Sequence, residues 1–292
     1  MTATWNFLVA SAYWPWFWGL IGLLIGSFLN VVIIRLPKRL EWGWGMECHL
    51  FQGGNEEEYR SKNPAPADLV FAKSQCPHCG HSIKPWENVP VLGYLWLRGK
   101  CAKCKAPISA QYPIIEALTG ALFFTVAFFV RDPAMAISMM AFMAMMVAIS
   151  GIDAKTKIIP DVIVFPLLWL GLIVSAAGVE GAISPPQAIV GAVIGYLILW
   201  VVYWGFKLIT KKEGMGYGDF KLLAAIGAWL GWINLPWVLL ISTVVGVAFG
   251  IFSIIQQGQD RRVGIPFGPF LAVAAILVWI GNQAHLLPSL LP

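Results

Sequence analysis

The sequence predicts an all-α polytopic membrane protein with about eight transmembrane helices. Of its 292 residues, 58% are hydrophobic and only 12% are charged, about half the charged fraction usual for a soluble domain. The mean hydropathy is +0.72, and Trp, Phe and Tyr together make up 13% of the chain, which suits a protein with two membrane interfaces. This composition excludes an ordinary soluble globule and a disordered chain, and the length exceeds what a single membrane anchor needs.

Long apolar runs are the candidate transmembrane helices. There are eight of them, at 14–35, 112–130, 134–152, 160–178, 187–209, 219–233, 236–255 and 266–287. The sixth run is the shortest, and its length also suits a re-entrant or buried segment.

The positions of the basic residues predict the orientation. With eight spans and both termini outside, 19 of the 20 Lys and Arg residues fall on one side of the membrane, and only Arg131 falls on the other. Without the sixth span, Arg261 and Arg262 would move to the opposite side. The positive-inside rule therefore favours eight spans with both termini outside. This topology accounts for the net charge of +5, so we expect contact with membrane lipid and no nucleic-acid partner.

The charge pattern also divides the chain into domains. Residues 1–35 are the first transmembrane helix, 36–111 form a cytoplasmic insertion, and 112–292 form a seven-helix membrane domain. The insertion holds 17 of the 35 charged residues and all five cysteines. Its stretch 51–68 is polar and is expected to be flexible. The remainder is too small to build a large hydrophobic core, so we expect a covalent or metal staple.

Four cysteines in this insertion have the spacing of a metal site. They form two C-x₂-C pairs, Cys76 with Cys79 and Cys101 with Cys104, so that two short turns each offer two sulfurs to one tetrahedral zinc ion. Disulfides are disfavoured because the predicted topology places the insertion in the reducing cytoplasm. The sequence therefore predicts a structural zinc site that organises residues 36–111.

Two aspartates lie at the cytoplasmic ends of predicted helices. Asp153 ends the third helix, and Asp219 precedes the sixth helix in a glycine-rich segment that we expect to turn tightly. Two neighbouring carboxylates cannot both ionise readily and share a proton, as in aspartic proteases. A proton-coupled transporter would also place carboxylates beside apolar helices, and the residues alone leave both functions open. Asp161, directly after Pro160, is predicted to be only a favourable charge at a helix start.

Five segments, in order, resemble the motifs of the type IV prepilin peptidases, and together they cover nearly the whole chain. They are GSFLNVVIIRLPKR at 26–39, the cysteine-containing segment from Cys76 to Glu116, IDAKTKIIPD at 152–161, GMGYGDFKLLAAIGAWLGW at 214–232 and GIPFGPFLA at 264–272. One departure is Gly93, a position at which many family members have Ser. The motif GYGD alone is modest evidence, but five motifs in the family's order make the resemblance highly specific.

The resemblance implies a bifunctional enzyme of the bacterial inner membrane. Such enzymes cleave the leader of type IV prepilins and pseudopilins at the cytoplasmic face and then methylate the new N-terminal residue with S-adenosylmethionine. The family's catalytic residues fall on Asp153 and Asp219, and its cysteines fall on the two C-x₂-C pairs. The methyltransferase is assigned to the N-terminal half, where no Rossmann-type glycine motif is present.

Glu116 is the candidate cofactor-binding residue of that half, because it matches a family motif position and lies within a predicted span. A structural explanation stays open, in which a buried partner such as Arg35 neutralises it. The acidic run Glu56–Glu58 could meet a basic leader, but a solvated acidic run is the simpler interpretation. The sequence does not predict an oligomeric state.

Overall fold

The computed structural model describes residues 11–212, 214–257 and 266–286. Arg261, Arg262 and the first residues of the segment 264–272 lie outside the described residues. Within the described ranges the chain is helical, with two isolated β-bridges and no strand. The predicted all-α class is therefore confirmed for this part of the chain.

The chain forms two compact units. The N-terminal unit comprises Ala12–Thr125, and the C-terminal unit comprises chiefly the residues from Val126 onward. In the order of the chain, the helices are α1 (Trp14–Phe51), α2 (Glu56–Lys62), α3 (Leu92–Trp96), α4 (Gln111–Phe129), α5 (Pro133–Thr156), α6 (Asp161–Ala176), α7 (Pro185–Thr210), α8 (Tyr217–Leu230), α9 (Leu235–Gln257) and α10 (Gly268–Gln283).

All eight apolar runs coincide with helices. Five helices of the described chain are long and apolar enough to cross a membrane, and α6 and α10, with 16 residues each, are shorter apolar helices. The sixth run is α8, which has only 14 residues, 11 of them buried. It is the central helix of the C-terminal unit, because α6, α7 and α10 all pack against it.

The insertion contains two helical segments that the sequence analysis does not predict. The first helix continues beyond the apolar run, through Pro37 to Phe51. The apolar run predicts where the chain crosses the membrane, but the backbone hydrogen bonds of the helix extend past it. Within the polar stretch 51–68, residues 56–62 form helix α2, which Asn55 caps by accepting a hydrogen bond from the Glu58 backbone N–H at 2.7 Å.

The acidic run Glu56–Glu58 lies in the first turn of α2, where the helix dipole favours negative charge. Two of its side chains form ion pairs one turn along the same helix, Glu56 with Arg60 and Glu58 with Lys62. These charges therefore stabilise a short exposed helix, which agrees with the simpler interpretation of the run.

Glycines allow α1 and α4 to cross closely within the N-terminal unit. A Cβ at Gly22 would lie 2.8 Å from the Thr119 carbonyl oxygen, and one at Gly26 would lie 2.7 Å from the Cα of Glu116. Small residues one turn apart are the usual means of bringing membrane helices together. The crossing explains the glycine at position 26 and buries Glu116.

Candidate active site and metal centre

The ends of three helices build the first candidate site. Asp153 lies one turn before the end of α5, Asp219 lies in the first turn of α8, and Gly268 is the first residue of α10. Both aspartates are buried, with 4% and 7% of their surface exposed. Asp153 Oδ2 accepts a hydrogen bond from the Gly268 backbone N–H at 2.9 Å, and the Asp219 carboxylate accepts one from the Gly216 N–H.

The two carboxylates are electrostatic neighbours. The charge of Asp153 acts directly on Asp219, so the structure brings together the residues that the sequence singled out, and we call them the aspartate pair. The N-termini of α8 and α10 both lie at this pair, and the positive ends of the helix dipoles compensate part of the cost of burying negative charge. The site thus places two buried carboxyl groups close enough to interact electrostatically.

The glycines of this site act differently from the prediction. Neither Gly216 nor Gly218 has a positive φ, so neither position needs glycine for its backbone conformation. Instead, a Cβ at Gly218 would lie 2.8 Å from the Cβ of Ile159, and one at Gly268 would lie 2.8 Å from Asp153 Oδ2. Glycine is needed at both positions because Ile159 at the first and Asp153 at the second leave no room for a Cβ.

Asp161 does not join the aspartate pair but pairs with a lysine. It is the first residue of α6, as predicted, and both of its carboxylate oxygens lie 2.8 Å from Lys221 Nζ. Sequence reasoning missed this ion pair, because the two residues are 60 positions apart and share no motif spacing. Both side chains are partly exposed, so the pair contributes little to stability.

The four predicted cysteines form a metal-binding cluster. Their Sγ atoms all lie within 4.8 Å of one another, with 3.8 Å between Cys76 and Cys104 and 4.0 Å between Cys79 and Cys101. Four sulfurs at about 2.3 Å from a tetrahedral zinc ion would be about 3.8 Å apart. The donor set and its dimensions fit such an ion, and we call these residues the cysteine cluster.

The two halves of the cluster have the same backbone geometry. The Gly80 N–H donates to the Cys76 carbonyl at 2.9 Å, and the Lys105 N–H donates to the Cys101 carbonyl at 3.0 Å. Gly80 and Lys105 both have positive φ, 67° and 60°. The sequence signals this conformation at Gly80 but not at Lys105, where a non-glycine residue adopts it.

The thiols of the cysteine cluster differ in acidity. Hydrogen bonds from the backbone N–H groups of Cys104 and Lys103 lower the pKa of Cys101 from 9.0 to about 6. In the same cluster, a hydrogen bond from the Ala106 N–H lowers the pKa of Cys104, but burial and the neighbouring sulfurs outweigh it and raise this pKa to about 11. The four thiols therefore hold their protons as a group, and a bound cation would release them, because the thiolate is the form that ligates metals.

Glu116 is buried in the N-terminal unit, with 6% of its surface exposed. Its Oε2 accepts a hydrogen bond from the Val91 backbone N–H at 2.7 Å, and its carboxylate accepts another from the Ser27 hydroxyl. The suggested partner Arg35 is wrong, because this guanidinium donates to backbone carbonyls of the segment 68–73 instead. Arg35 therefore holds the segment 68–73 against α1, whereas Glu116 holds the turn at Val91.

That turn is a γ-turn of the rare kind with positive φ. Val91 has φ 60° and ψ −51°, and the Leu92 N–H donates to the Pro90 carbonyl at 2.6 Å. A β-branched residue in this conformation is strained. Gly93 follows directly, and any side chain there would overlap the Glu87 carbonyl oxygen, which accounts for glycine at the position where the sequence departs from the family pattern.

The N-terminal unit also contains a cavity of about 510 Å³. Its wall includes Asn30 and Arg35 from α1, Glu116 from α4, and Cys76 and Cys101 from the cysteine cluster. The sequence gives no signal for this cavity, because its wall combines segments that are distant along the chain.

Comparisons with known proteins assign both halves of the chain. Residues 20–130 match the family model of the bacterial peptidase A24 N-terminal domain, and residues 140–251 match that of the type IV leader peptidase family. No solved structure matches the chain.

Three similar curated proteins are each named prepilin leader peptidase/N-methyltransferase. The protein from Aeromonas hydrophila is 47% identical over 262 residues, which cover 89% of each chain. The one from Pseudomonas putida is 46% identical over 283 residues, 96% of each chain. The one from Pseudomonas aeruginosa is 47% identical over 266 residues, 90% of this chain and 89% of its own.

Proposed function

Because the chain belongs to the type IV leader peptidase family, we propose that it cleaves prepilins at the aspartate pair and methylates the new N-terminus in its N-terminal unit. The relatives named for both activities align with nine-tenths of the chain or more, and the two family models match its two halves. Nothing in these comparisons supports the alternative of a proton-coupled transporter.

The observation that carries the peptidase proposal is the burial of two neighbouring carboxylates at three helix ends. In the proposed reaction, the ionised carboxylate removes a proton from a water molecule as its oxygen attacks the scissile carbonyl carbon. The protonated carboxyl group donates its proton to the carbonyl oxygen. When the C–N bond then breaks, the protonated member of the pair donates its proton to the leaving amine, and the other carboxylate takes up a proton from a hydroxyl of the gem-diol intermediate as the new carboxyl group forms. One proton thus remains on the pair, as at the start.

The location of the pair suits a prepilin substrate. Prepilins and pseudopilins have a basic leader followed by an apolar helix, so the bond between the two lies at a membrane interface. The basic residues of the chain favour a topology in which Asp153 and Asp219 lie at the cytoplasmic side. We therefore place the enzyme in the bacterial inner membrane, with its peptidase site facing the cytoplasm.

Zinc is the metal that best suits the cysteine cluster, because four thiolates in tetrahedral arrangement are its usual structural site. The ion would be held by all four cysteines and would stabilise the loops between residues 76 and 104. S-adenosylmethionine would supply the methyl group, and Glu116 is the proposed cofactor-binding residue of this half.

The test uses the full chain purified in detergent with a prepilin and S-adenosylmethionine. We expect mass spectrometry to find a pilin that lacks its leader and carries one additional methyl group at its N-terminus. An intact prepilin, together with proton-coupled uptake when the chain is placed in liposomes, would instead support the transporter.

A further inference from the structure

Helix α3 presents an apolar side that the rest of the described chain leaves uncovered. Leu92, Leu95 and Trp96 have the spacing i, i+3 and i+4, which places them on one side of this short helix, and we call them the α3 face. Their exposed fractions are 57%, 62% and 79%. Tyr94 and Leu97, on the opposite side, line the cavity of the N-terminal unit. Helix α3 is therefore amphipathic, and a cluster of large exposed apolar side chains marks an interaction surface.

The contact between α3 and α4 gives the depth of this surface. Val91, the residue before α3, donates its backbone N–H to the Glu116 carboxylate at 2.7 Å. Glu116 is the sixth residue of α4, so it lies only about 7.5 Å along the axis from the start of that helix. With 19 residues, α4 is about 28 Å long, which just matches a hydrocarbon core of roughly 30 Å. Glu116 therefore lies near the membrane boundary, and α3 begins beside it.

Two exposed tryptophans lie in this part of the insertion. One is Trp96 of the α3 face, and the other is Trp86, which is 63% exposed in the short helical turn Pro85–Asn88. The Lys84 ammonium lies 5.3 Å from the centre of the Trp86 ring. Tryptophan is enriched where hydrocarbon meets headgroups, because its ring is apolar and its N–H is polar.

The charges at the edges of the α3 face are basic. The exposed cations are Lys84, Arg98 and Lys100. Glu87 is the one acidic residue between positions 84 and 105, and its carboxylate already contacts the His81 ring and the Lys84 N–H. Lys103 and Lys105 lie beside Cys104 and would balance the two negative charges of a zinc ion with four thiolates. The edge thus keeps a net positive charge, which complements an anionic lipid surface.

We propose that α3 lies in the membrane interface on the side of the insertion. The α3 face enters the boundary between headgroups and acyl chains, and Arg98 and Lys100 contact anionic headgroups. Interfacial helices bury their apolar side about 5–10 Å deep in this region, which agrees with the position of α3 beside Glu116. The insertion is therefore not surrounded by water on all sides.

The observations favour lipid over the substrate as the occupant of the α3 face. A prepilin also offers an apolar helix, but its leader is basic, and the basic edge of the α3 face would repel it. An anionic bilayer satisfies the apolar side chains and the cations together.

The test places the photoreactive amino acid p-benzoylphenylalanine at single positions of the full chain, in nanodiscs with equal amounts of phosphatidylglycerol and phosphatidylcholine. After irradiation, mass spectrometry identifies the captured molecules. In place of Leu95 or Trp96, it should capture lipid, with phosphatidylglycerol about fivefold in excess, the effect of one cation near a membrane surface. Arg98→Gln combined with Lys100→Gln should bring this ratio close to one.

Phe51 is the matched control position. Its side chain is 95% exposed, but it lies about 24 Å beyond Arg35 along α1, so the photoreactive group should capture little lipid there. Phe128, an exposed residue of the membrane-spanning α4, should capture lipid and shows that the reaction works. Thermal unfolding identifies misfolded variants. If the double variant misfolds, Lys84→Gln at the other edge replaces it and should lower the ratio in the same direction.

Lipid capture at positions 95 and 96 that is no greater than at position 51 would overturn the proposal. Equal capture of the two lipids by the chain with its native cations would overturn the role of Arg98 and Lys100. If an added prepilin is captured at these positions in place of lipid, the α3 face binds substrate and not the membrane.

Discussion

Asp161 differs from the two members of the aspartate pair because it forms an ion pair with Lys221. The carboxylate of Asp161 is half exposed and is bound by the Lys221 ammonium, whereas both members of the pair are buried. We expect Asp161→Asn to retain substantial cleavage, because an exposed ion pair contributes at most about 1 kcal/mol. Lys221→Met should have a similarly small effect. A gel-shift assay of prepilin cleavage measures both variants. An inactive Asp161→Asn with an active Asp153→Asn would redraw the catalytic pair as Asp161 with Asp219.

Single residues also show how far the sequence could lead. Asp153, Asp219 and the four cysteines could be found because their chemistry and spacing are local features. The hydrogen-bond partner of Glu116 could not be found in this way. It is the backbone N–H of Val91, and only the rare turn at Val91 directs this group towards the carboxylate. Arg35 was the wrong partner because charge alone does not show which side chains point towards each other.

At the scale of helices, the position of α8 depends on its close approach to α7. A Cβ at Gly191 in α7 would overlap the Gly227 carbonyl oxygen in α8. A Cβ at Gly227 would likewise overlap the Gly191 carbonyl oxygen. We expect Gly191→Ala to lower the free energy of unfolding by about 1–3 kcal/mol, the usual cost of overpacking. It should also reduce cleavage, because α8 carries Asp219. Thermal unfolding in detergent is the measurement.

Gly205→Ala is the matched control for this prediction, since it lies in the same helix and nothing lies within 4 Å of its Cβ position. Alanine is a better helix former than glycine, so this variant should be as stable as the unmodified chain or more stable. Equal stability of the two alanine variants would show that the close contact with α8 does not matter.

Hydropathy identified all the apolar helices but not every helix end. Every apolar run is helical in the structure, because burying or embedding such a run requires its backbone groups to be satisfied internally. The continuation of α1 to Phe51 and the helix α2 were missed. Helix α2 is stabilised by its cap and local ion pairs, and the continuation of α1 contacts α2 through Trp42 and Tyr59. The apolar pattern records neither.

For the whole molecule, the cysteine cluster and the aspartate pair lie in different units. Cys76 and Cys101 line the cavity, so loss of the metal should impair methylation more directly than cleavage. We expect elemental analysis to find about one zinc per chain and Cys79→Ser to lose it. Residues 70–110 of that variant should become sensitive to proteolysis. A metal-free chain whose insertion resists protease would contradict the zinc assignment.

The two activities should also separate in the other direction. Asp153→Asn changes only the C-terminal unit, and methyl transfer to an amine needs no pair of carboxylates. This variant should therefore methylate a pilin that is supplied already trimmed, as measured by transfer of a labelled methyl group. Loss of methylation in a variant that keeps its zinc would show that the two sites are not independent.

The most direct test of the account is prepilin cleavage by Asp153→Asn, Asp219→Asn and the double variant, all inserted in membranes at normal levels. Asparagine keeps the size of the side chain but can neither accept a proton from water nor share one with its neighbour. Each single variant should be inactive, and the double variant should be no worse than either, because the two groups act as a unit. Cleavage near the normal rate by either single variant would contradict the assignment of the aspartate pair as the peptidase site.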